Sequence, residues 1–252
     1  MSGWLGAERH DLDVCASTSD EAARLARAGC AHGTVVTAVA QRAGRGRQGR
    51  AWHSAPGSGV YLSAVLRLPL AAPDVPGVTL AVGIGVCDAA RRAGAAAAIK
   101  WPNDVVVRMP DGGPPKKLAG VLVETTSQAG RIDAVVVGIG VNLAGELPDE
   151  LRDRATTLAA AGAPVERAAF TDALLAAVEP WIDRYVAGGV AAIAADWEAR
   201  CDRGARVRAV ADGAAVEGVV DGLEPDGALR LRDDAGRVHR VIAGEIVVVA
   251  SS

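Results

Sequence analysis

Apolar and polar residues follow two different periods along the chain, and the changes of period predict the elements. Spacings of three and four indicate helices, whereas β-branched or alternating runs indicate strands. The predicted helices are the segments 17–29, 78–94 and 166–201. The predicted strands before residue 150 are 33–41, 59–69, 97–107, 118–127 and 131–143.

Capping residues and prolines predict where the helices begin and end. Ser17, Ser19 and Asp20 are alternative N-caps of the first helix, and Gly29 is its stop signal. The segment 166–201 is predicted to hold two helical runs, 167–186 and 190–201, and Pro180 is predicted to kink or divide the first of them, because proline removes one helical hydrogen bond. The alternation in 59–69 predicts a strand with one covered face, and "QAG" at 128–130 predicts an antiparallel hairpin.

The pattern changes after Arg203. Short strands alternate there with turns of the DG, PDG, AG and AGE type, which is typical of a small all-β barrel of about fifty residues. We therefore predict two domains, 1–202 and 203–252, with the boundary near 202–204.

Composition and charge narrow the class of protein. The chain has 252 residues, half of them hydrophobic, and a formal net charge of −3, so a protein that coats nucleic acid is excluded. An N-terminal signal pattern and an apolar run of about eighteen residues are both missing, which predicts a soluble cytoplasmic protein. The four cysteines form no C-x-x-C pair and are expected to be free thiols.

The segment "AGRGRQGRAWHS" at 43–54 combines three arginines with three glycines. It satisfies G-x-G-x-x-G, but Pro56 and the glycines beyond it forbid the helix that a dinucleotide-binding turn requires. A Walker loop is excluded because Arg50 and Ala51 follow the third glycine. Two interpretations remain: a basic loop that only faces solvent, or a pliable backbone whose guanidinium groups bind phosphate or carboxylate oxygens.

Three further segments place polar groups where a strand meets a turn. They are "KWPNDV" at 100–105, "KKLAGVLVE" at 116–124 and "GIGVN" at 138–142. Each segment taken alone is also compatible with an ordinary strand end. Their order along the chain, together with the Arg/Gly segment, carries more information than any one of them.

Taken together, these segments resemble the biotin–protein ligases over nearly the whole chain. The matching motifs are "STS" at 17–19, where the family has S-T-N, "QRAGRGRQGRAW" at 41–52, "KWPNDV", "KLAGVLVE" and "GIGVN", with a similar C-terminal tail. The resemblance implies an α+β fold, with a mixed, largely antiparallel sheet flanked by helices, and an SH3-like C-terminal barrel. It also implies that biotin and MgATP form biotinyl-5′-AMP, which a lysine of a biotin carboxyl carrier domain then attacks.

The resemblance also implies roles for individual residues. Lys117 and Arg47 are expected to be catalytic, with Lys117 bridging the biotin carboxyl group and the α-phosphate. The expected biotin contacts are Ser17, Thr18, Ser19, Gln41, Arg45, Gly46, Arg47 and Lys117. The expected nucleotide contacts are Arg45, Arg47, Arg50, Lys100, Asn103, Asp104 and Asn142. Mg²⁺ is expected to arrive with ATP rather than at a fixed site of the protein.

Several alternatives remain open at this level. Lys116 competes with Lys117 for the catalytic position, although the register against "LAG" favours Lys117. Asp104 is expected either to orient a lysine or to hold Mg²⁺ through water. Tyr61 and Ser63 are predicted to line the biotin pocket, and Trp52 fits either a packing role or a ligand contact.

Two rival functions are weighed against biotin ligation. Lipoate or octanoate transfer shares the fold, but the combined motifs and the C-terminal barrel favour biotin. An RNA-binding module is disfavoured, because the segment after Arg203 has no aromatic residue for base stacking. Sixteen residues precede the STS motif, so we expect a ligase without an N-terminal DNA-binding domain, acting on the carrier domain of an acyl-CoA carboxylase.

Overall fold

A computed structural model describes most of the chain. The described residues are 3–109, 113–128, 131–201, 205–211, 213–242, 244 and 246–249. The predicted domain boundary near 202–204 lies outside them, as do the middle of the loop 109–117, two residues of the QAG turn, and most of the AGE turn at 243–245.

The larger part of the molecule is built on a seven-stranded sheet in the order β1-β2-β3-β7-β6-β5-β4. Within the described residues, β1 and β2 pair in parallel, and the other neighbouring pairs of this sheet are antiparallel. The mixed, largely antiparallel sheet predicted above is therefore confirmed. The strands are β1 (Arg9–Cys15), β2 (Val35–Gln41), β3 (Gly59–Leu66), β4 (Ala97–Lys100), β5 (Asp104–Val107), β6 (Lys116–Gln128) and β7 (Arg131–Asn142).

Helices cover both faces of this sheet. They are α1 (Thr18–Arg27), α2 (Val78–Arg92) and α3 (Arg167–Glu198). The apolar side of α1 packs on Val36 and Val65, whereas α2 and α3 belong to the main core with Leu62 and Leu66. Every residue of β3 is buried as a result. The prediction of a single covered face for this strand is wrong, because a helix lies against each face.

The third helix is interrupted at one residue. Gly189 has φ 61° and ψ −157°, outside the helical region, in the left-handed half of the map that glycine tolerates. The division of α3 therefore lies at Gly189, and the prediction that Pro180 divides it is wrong. The structure does separate the two runs 167–186 and 190–201, as the pattern predicts.

The C-terminal residues form a second, five-stranded antiparallel sheet. Its order is β11-β10-β9-β8-β12, and within the described part of the chain no ladder joins the edge strands into a closed barrel. The buried residues Val207, Leu229 and Val241 continue the main core. The strands are β8 (Arg206–Ala211), β9 (Ala214–Leu223), β10 (Leu229–Arg232), β11 (Val238–Val241) and β12 (Val247–Val248).

None of the helices in the described part of the chain has the length and apolar character needed to cross a bilayer.

Candidate active site

One cavity of about 520 Å³ brings the predicted site residues together. It opens over β6 and β7 and is bounded by the start of α1, the Arg/Gly segment and the turn between β4 and β5. All the predicted contact residues line it, namely Ser17, Thr18, Ser19, Gln41, Arg45, Gly46, Arg47, Arg50, Lys100, Asn103, Asp104, Lys117 and Asn142. Segments far apart in the chain therefore meet at one site.

Strand β7 orders the site along its length. Gly138, Gly140 and Asn142 are two residues apart and so face the same side of the sheet, over about 14 Å. The Ser19 hydroxyl lies opposite Gly138, where a Cβ atom would come within 3.0 Å of its Oγ. Trp52 lies opposite Gly140, and the Asn142 amide donates to the carbonyl of Thr156 at 3.1 Å.

Hydroxyl and amide groups form the polar end of the cavity, which we call the polar cluster (Ser17–Ser19, Gln41 and Ser63). The backbone N–H and the hydroxyl of Thr18 donate to Gln41 Oε1 at 2.8 and 3.1 Å. The Ser63 hydroxyl lies 2.8 Å from Thr18 Oγ1 and 3.1 Å from Ser19 Oγ. Ser63 is completely buried, so rigid elements hold the cluster from below.

The direction of these hydrogen bonds follows from the inventory of donors. Each hydroxyl has one proton, and that of Thr18 is given to Gln41. Ser63 then donates to Thr18, and Ser19 donates to Ser63. Of the groups that line the cavity, Ser17 and Gln41 keep a hydrogen-bond donor, and Thr18 and Ser19 keep lone pairs. The cluster therefore suits a ligand that both donates and accepts hydrogen bonds.

Helix α1, which carries Thr18 and Ser19 of the polar cluster, begins directly after Ser17, one of the three N-caps predicted for it. Ser17 is the N-cap of α1 and has extended backbone angles, but its side chain makes no capping hydrogen bond. Its hydroxyl is therefore left for a ligand. Ser17 itself is almost fully buried at the cavity wall.

The segment 43–54 forms a narrow loop, which we call the cationic loop. Gly46 donates to the carbonyl of Arg50 at 2.7 Å, and Trp52 donates to that of Gly44 at 2.8 Å. Gln48 and Gly49 both have left-handed φ angles, 57° and 72°, which close the tip. The loop therefore folds back on itself through a single short 3₁₀ turn at Arg47–Gly49, and no α-helix follows it in the described residues before β3, in agreement with the Pro/Gly-rich sequence there.

Carboxylates from other segments hold the arginines of this loop. Arg45 pairs with Asp20 at 2.8 Å and with Glu124 at 3.4 Å. Burial lowers the pKa of Arg45, but the hydrogen bond to Asp20 and the charge of Glu124 outweigh burial and raise it. Arg47 Nη1 donates to Asn103 Oδ1 at 3.1 Å, which joins the loop to the β4–β5 turn.

Lys117 is one of two lysines that line the cavity. Its Nζ lies 2.6 Å from Asp104 Oδ1 and 5.3 Å from the centre of the Trp52 ring. Lys116 instead donates to the carbonyl of Arg152 at 2.7 Å and does not line the cavity. Neighbouring residues of a strand face opposite sides, so the choice between the two lysines favours Lys117. The ion pair likewise favours Asp104 as the group that orients a lysine.

Two features of the site escape the sequence analysis, and one prediction is wrong. Gly120 and Gly140 are cross-strand partners, and the Trp52 ring lies on them so closely that a Cβ at Gly140 would come within 2.4 Å of it. This glycine pair is the signal that identifies Trp52 as part of the site. Tyr61 and Ser63 do not line the cavity, contrary to the prediction: the Tyr61 hydroxyl donates to the carbonyl of Ala55 at 3.0 Å, and Ser63 lies buried beneath Thr18.

The second missed feature is the segment after β7. The Lys117 N–H donates to the carbonyl of Arg154 at 2.8 Å, and Thr156 N–H donates to that of Lys117 at 2.9 Å. Leu147 and Leu151 of the same segment line the cavity. Asp153 and Arg154 of this segment line the cavity as well, but they belong to none of the motifs recognised in the sequence.

A metal site of the protein would require several acidic, histidine or cysteine side chains close together. Nowhere in the described residues do three of them form a group that would bind a metal ion. Asp104, the acidic residue nearest to Lys117, is occupied by its ion pair.

The comparisons with known proteins agree with this architecture. Residues 14–142 match the model of the biotin/lipoate A/B protein ligase family, and residues 204–249 match that of the biotin protein ligase C-terminal domain. A biotin–[acetyl-CoA-carboxylase] ligase of Paracoccus denitrificans is 37% identical over 88% of this chain and 92% of its own. The bifunctional ligase/repressor BirA of Bacillus subtilis is 33% identical over 93% of this chain and 72% of its own.

A solved structure extends the likeness to three dimensions. The biotin protein ligase of Aquifex aeolicus, in complex with biotin and ATP, superposes with a TM-score of 0.80 and 26% identity. The match covers 97% of this chain and all of that one. The chain belongs to the biotin/lipoate A/B protein ligase family and carries the C-terminal domain of the biotin protein ligases.

Proposed function

We propose that this protein is an ATP-dependent biotin–protein ligase. One observation carries the proposal: a single cavity combines a polar cluster suited to a small neutral ring with four arginines, three of them in the cationic loop, and two lysines suited to a nucleotide. A ligand that joins such a ring to a nucleotide would occupy both ends at once. The relatives named biotin ligases support the choice of biotin.

The first step joins biotin to AMP. A carboxylate oxygen of biotin bonds to the α-phosphorus of MgATP, and the bond from that phosphorus to the bridging oxygen breaks, so that diphosphate leaves. Two anions repel each other here, and fixed cations lower that barrier. Lys117, held by Asp104, is proposed to lie between the carboxylate and the α-phosphate.

The cationic loop is proposed to cover the adenylate. Arg47 and Arg45 would exchange their present partners, Asn103 and the two carboxylates, for phosphate oxygens. Arg50, Lys100 and Asn142 are further nucleotide contacts in this proposal. A mixed anhydride hydrolyses in water, so a loop that closes over it protects the intermediate.

The second step transfers the biotinyl group. The amine of a carrier lysine attacks the acyl carbon, the bond to the AMP oxygen breaks, and AMP leaves as the amide forms. The acceptor proposed here is the biotin carboxyl carrier domain of an acyl-CoA carboxylase, in keeping with the name of the Paracoccus relative.

The polar cluster argues against lipoate or octanoate as the substrate. The groups of the cluster that line the cavity offer both donors and acceptors, which a ring urea satisfies with its carbonyl and its N–H groups. A dithiolane ring or an alkyl chain has no such donor and would leave buried oxygens unpaired, at a cost of about 1–3 kcal/mol each.

The reaction is proposed to take place in the cytoplasm, with Mg²⁺ supplied as MgATP. Cys15, Cys30, Cys87 and Cys201 are all free thiols, which supports a reducing compartment.

The test is diphosphate exchange into ATP, followed by transfer of labelled biotin to a purified carrier domain. We expect exchange with biotin and none above background with lipoate or octanoate. Exchange with lipoate alone would contradict the substrate. Exchange with biotin but no labelled carrier would contradict the acceptor.

A further inference from the structure

The C-terminal sheet makes a directed contact with the candidate active site. The indole Nε1 of Trp101 donates to the carbonyl of Gly227 at 3.2 Å, across 126 positions of the chain. Trp101 lies in the β4–β5 turn, directly before the residues that contact Arg47 and Lys117, and is almost fully buried. Gly227 lies in the turn that joins β9 to β10.

The acceptor side of this hydrogen bond is held in place. Glu224 donates to the carbonyl of Ala228 at 2.8 Å, and Gly227 donates to that of Glu224 at 2.9 Å. Gly227 has φ +87°, and a Cβ atom there would come within 2.9 Å of the Leu80 side chain on α2. Asp226 of the same turn pairs with Arg240. The carbonyl is therefore fixed both by its own turn and by the helix beneath it.

The donor side is connected to two cations of the site. Asn103 accepts from Arg47 and donates through Nδ2 to the carbonyl of Val121 at 3.0 Å, while Val121 N–H donates to the carbonyl of Asn103 at 2.9 Å. Asp104, the next residue, pairs with Lys117. A short turn thus connects Gly227 of the C-terminal sheet with the groups that hold Arg47 and Lys117.

We propose that Trp101 is a positioning residue, through which the β9–β10 turn of the C-terminal sheet aligns Arg47 and Lys117 for adenylate formation. The inference rests on the proposed function. Among the described residues, the polar cluster makes no hydrogen bond to this turn. The link therefore acts mainly on the nucleotide step, in which Arg47 and Lys117 meet the phosphate, and changes biotin binding little, since the cluster holds the ring.

The test compares Trp101→Phe with Trp4→Phe. The first variant keeps an aromatic ring in the buried position but removes the indole N–H and reduces the size of the side chain, and the second variant makes the same change elsewhere. The second removes an indole N–H that donates to Asp183 at 3.1 Å, far from the cavity. We expect Trp101→Phe to slow adenylate formation in a single turnover about fivefold, as loss of one hydrogen bond would, with the biotin Kd unchanged. Trp4→Phe is expected to leave both values unchanged.

A second readout does not depend on activity. The Val121 amide proton is bonded to Asn103, so its hydrogen exchange is expected to quicken in Trp101→Phe and to stay the same in Trp4→Phe. Arg240→Gln removes the ion pair with Asp226 in the turn that contains Gly227. It is expected to raise the hydrogen-exchange rate of the Val121 amide as well, but to a smaller extent. It replaces Trp101→Phe if that variant does not fold.

The outcomes separate the two proposals. An inactive wild type in which Trp101→Phe still quickens Val121 would refute the proposed function and leave the structural link standing. An active wild type whose Trp101→Phe variant forms adenylate at the same rate, or loses biotin affinity as much as rate, would overturn the positioning role.

Discussion

The two ends of the cavity are built in opposite ways. The polar cluster lies on α1 and on two interior strands, and its hydroxyls bond to one another, with Ser63 wholly buried. The cationic loop connects β2 to β3 and has two residues with left-handed φ angles at its tip. Ion pairs of Arg45 with Asp20 and Glu124 hold it, and all three side chains are partly exposed.

This difference separates recognition from protection of the intermediate. A rigid, hydrogen-bonded cluster discriminates between ligands, since a wrong ligand leaves its buried groups unpaired. Exposed ion pairs contribute only about 0–1 kcal/mol, so the loop can exchange them for a phosphate at small cost. Lys117 lies between the two regions, oriented by Asp104.

The largest effect is expected at the junction of the two regions. Lys117→Ala removes the charge proposed to bridge carboxylate and phosphate, and should slow diphosphate exchange about a thousandfold. Lys116→Ala is the matched control, because that side chain bonds to the Arg152 carbonyl outside the cavity. Equal losses in both variants would remove Lys117 from its proposed role.

The next effect tests the loop. Arg47→Ala removes a guanidinium proposed to clamp the adenylate, at a cost of about 2 kcal/mol, and should raise the rate of adenylate release about thirtyfold. Biotin affinity without ATP should change little. Arg42→Ala, an exposed arginine that does not line the cavity, serves as control. If adenylate is retained as well as in the wild type, the loop is not its cover.

A smaller effect is expected in the polar cluster. Thr18→Val keeps the shape but breaks the hydrogen bonds to Gln41 and Ser63, and should weaken biotin binding about tenfold in calorimetry. Thr37→Val removes a hydroxyl of similar burial that bonds to Asp11, and biotin affinity should not change. A tenfold loss for Arg47→Ala as well would show that the two regions are not separate.

The smallest effect is expected outside both regions. The hydrogen bond from His239, followed by bonds from Arg237, lowers the pKa of Asp233 in the β10–β11 turn. A carboxyl group whose pKa is lowered in the folded protein stabilises the fold when the pH is above the pKa of the same group in the unfolded chain, about 3.9. This stabilisation is lost as the pH falls below that pKa towards the lower pKa of the folded state. Asp233→Asn should flatten the acid side of the thermal-stability profile without changing diphosphate exchange. An unchanged profile would show that this turn does not control acid stability.

Some elements follow directly from local pattern. The hairpin of β6 and β7, the limits of α2 near Gly94 and the start of α1 at Ser17 are as predicted, because period and capping are properties of neighbouring residues. Strand β1 was missed, although Leu12 and Val14 alternate with aspartates in it. Its mostly exposed residues form a strand because β2 offers an edge with which to pair.

The sequence motifs likewise identified which residues line the site but not which residues they pair with. Every predicted contact residue lines the cavity, yet the partners of Arg45, which are Asp20 and Glu124, come from segments that carry no motif. The sequence alone does not decide whether Trp52 packs in the core or contacts a ligand. Its position depends on Gly120 and Gly140, two cross-strand partners whose missing side chains leave room for the ring.

By itself, the order of residues determined the types of element, the chemistry available and the family, since these depend on side-chain identity and short spacings. The tertiary structure alone decided which lysine enters the cavity, which carboxylates hold the arginines, and how Gly227 reaches Trp101. The reason is that a shift of one residue turns a strand side chain to the other face. Sheet pairing sets that register between distant segments, such as Gly59 and Asn142, and the docking of the C-terminal sheet joins Trp101 to Gly227 across 126 positions.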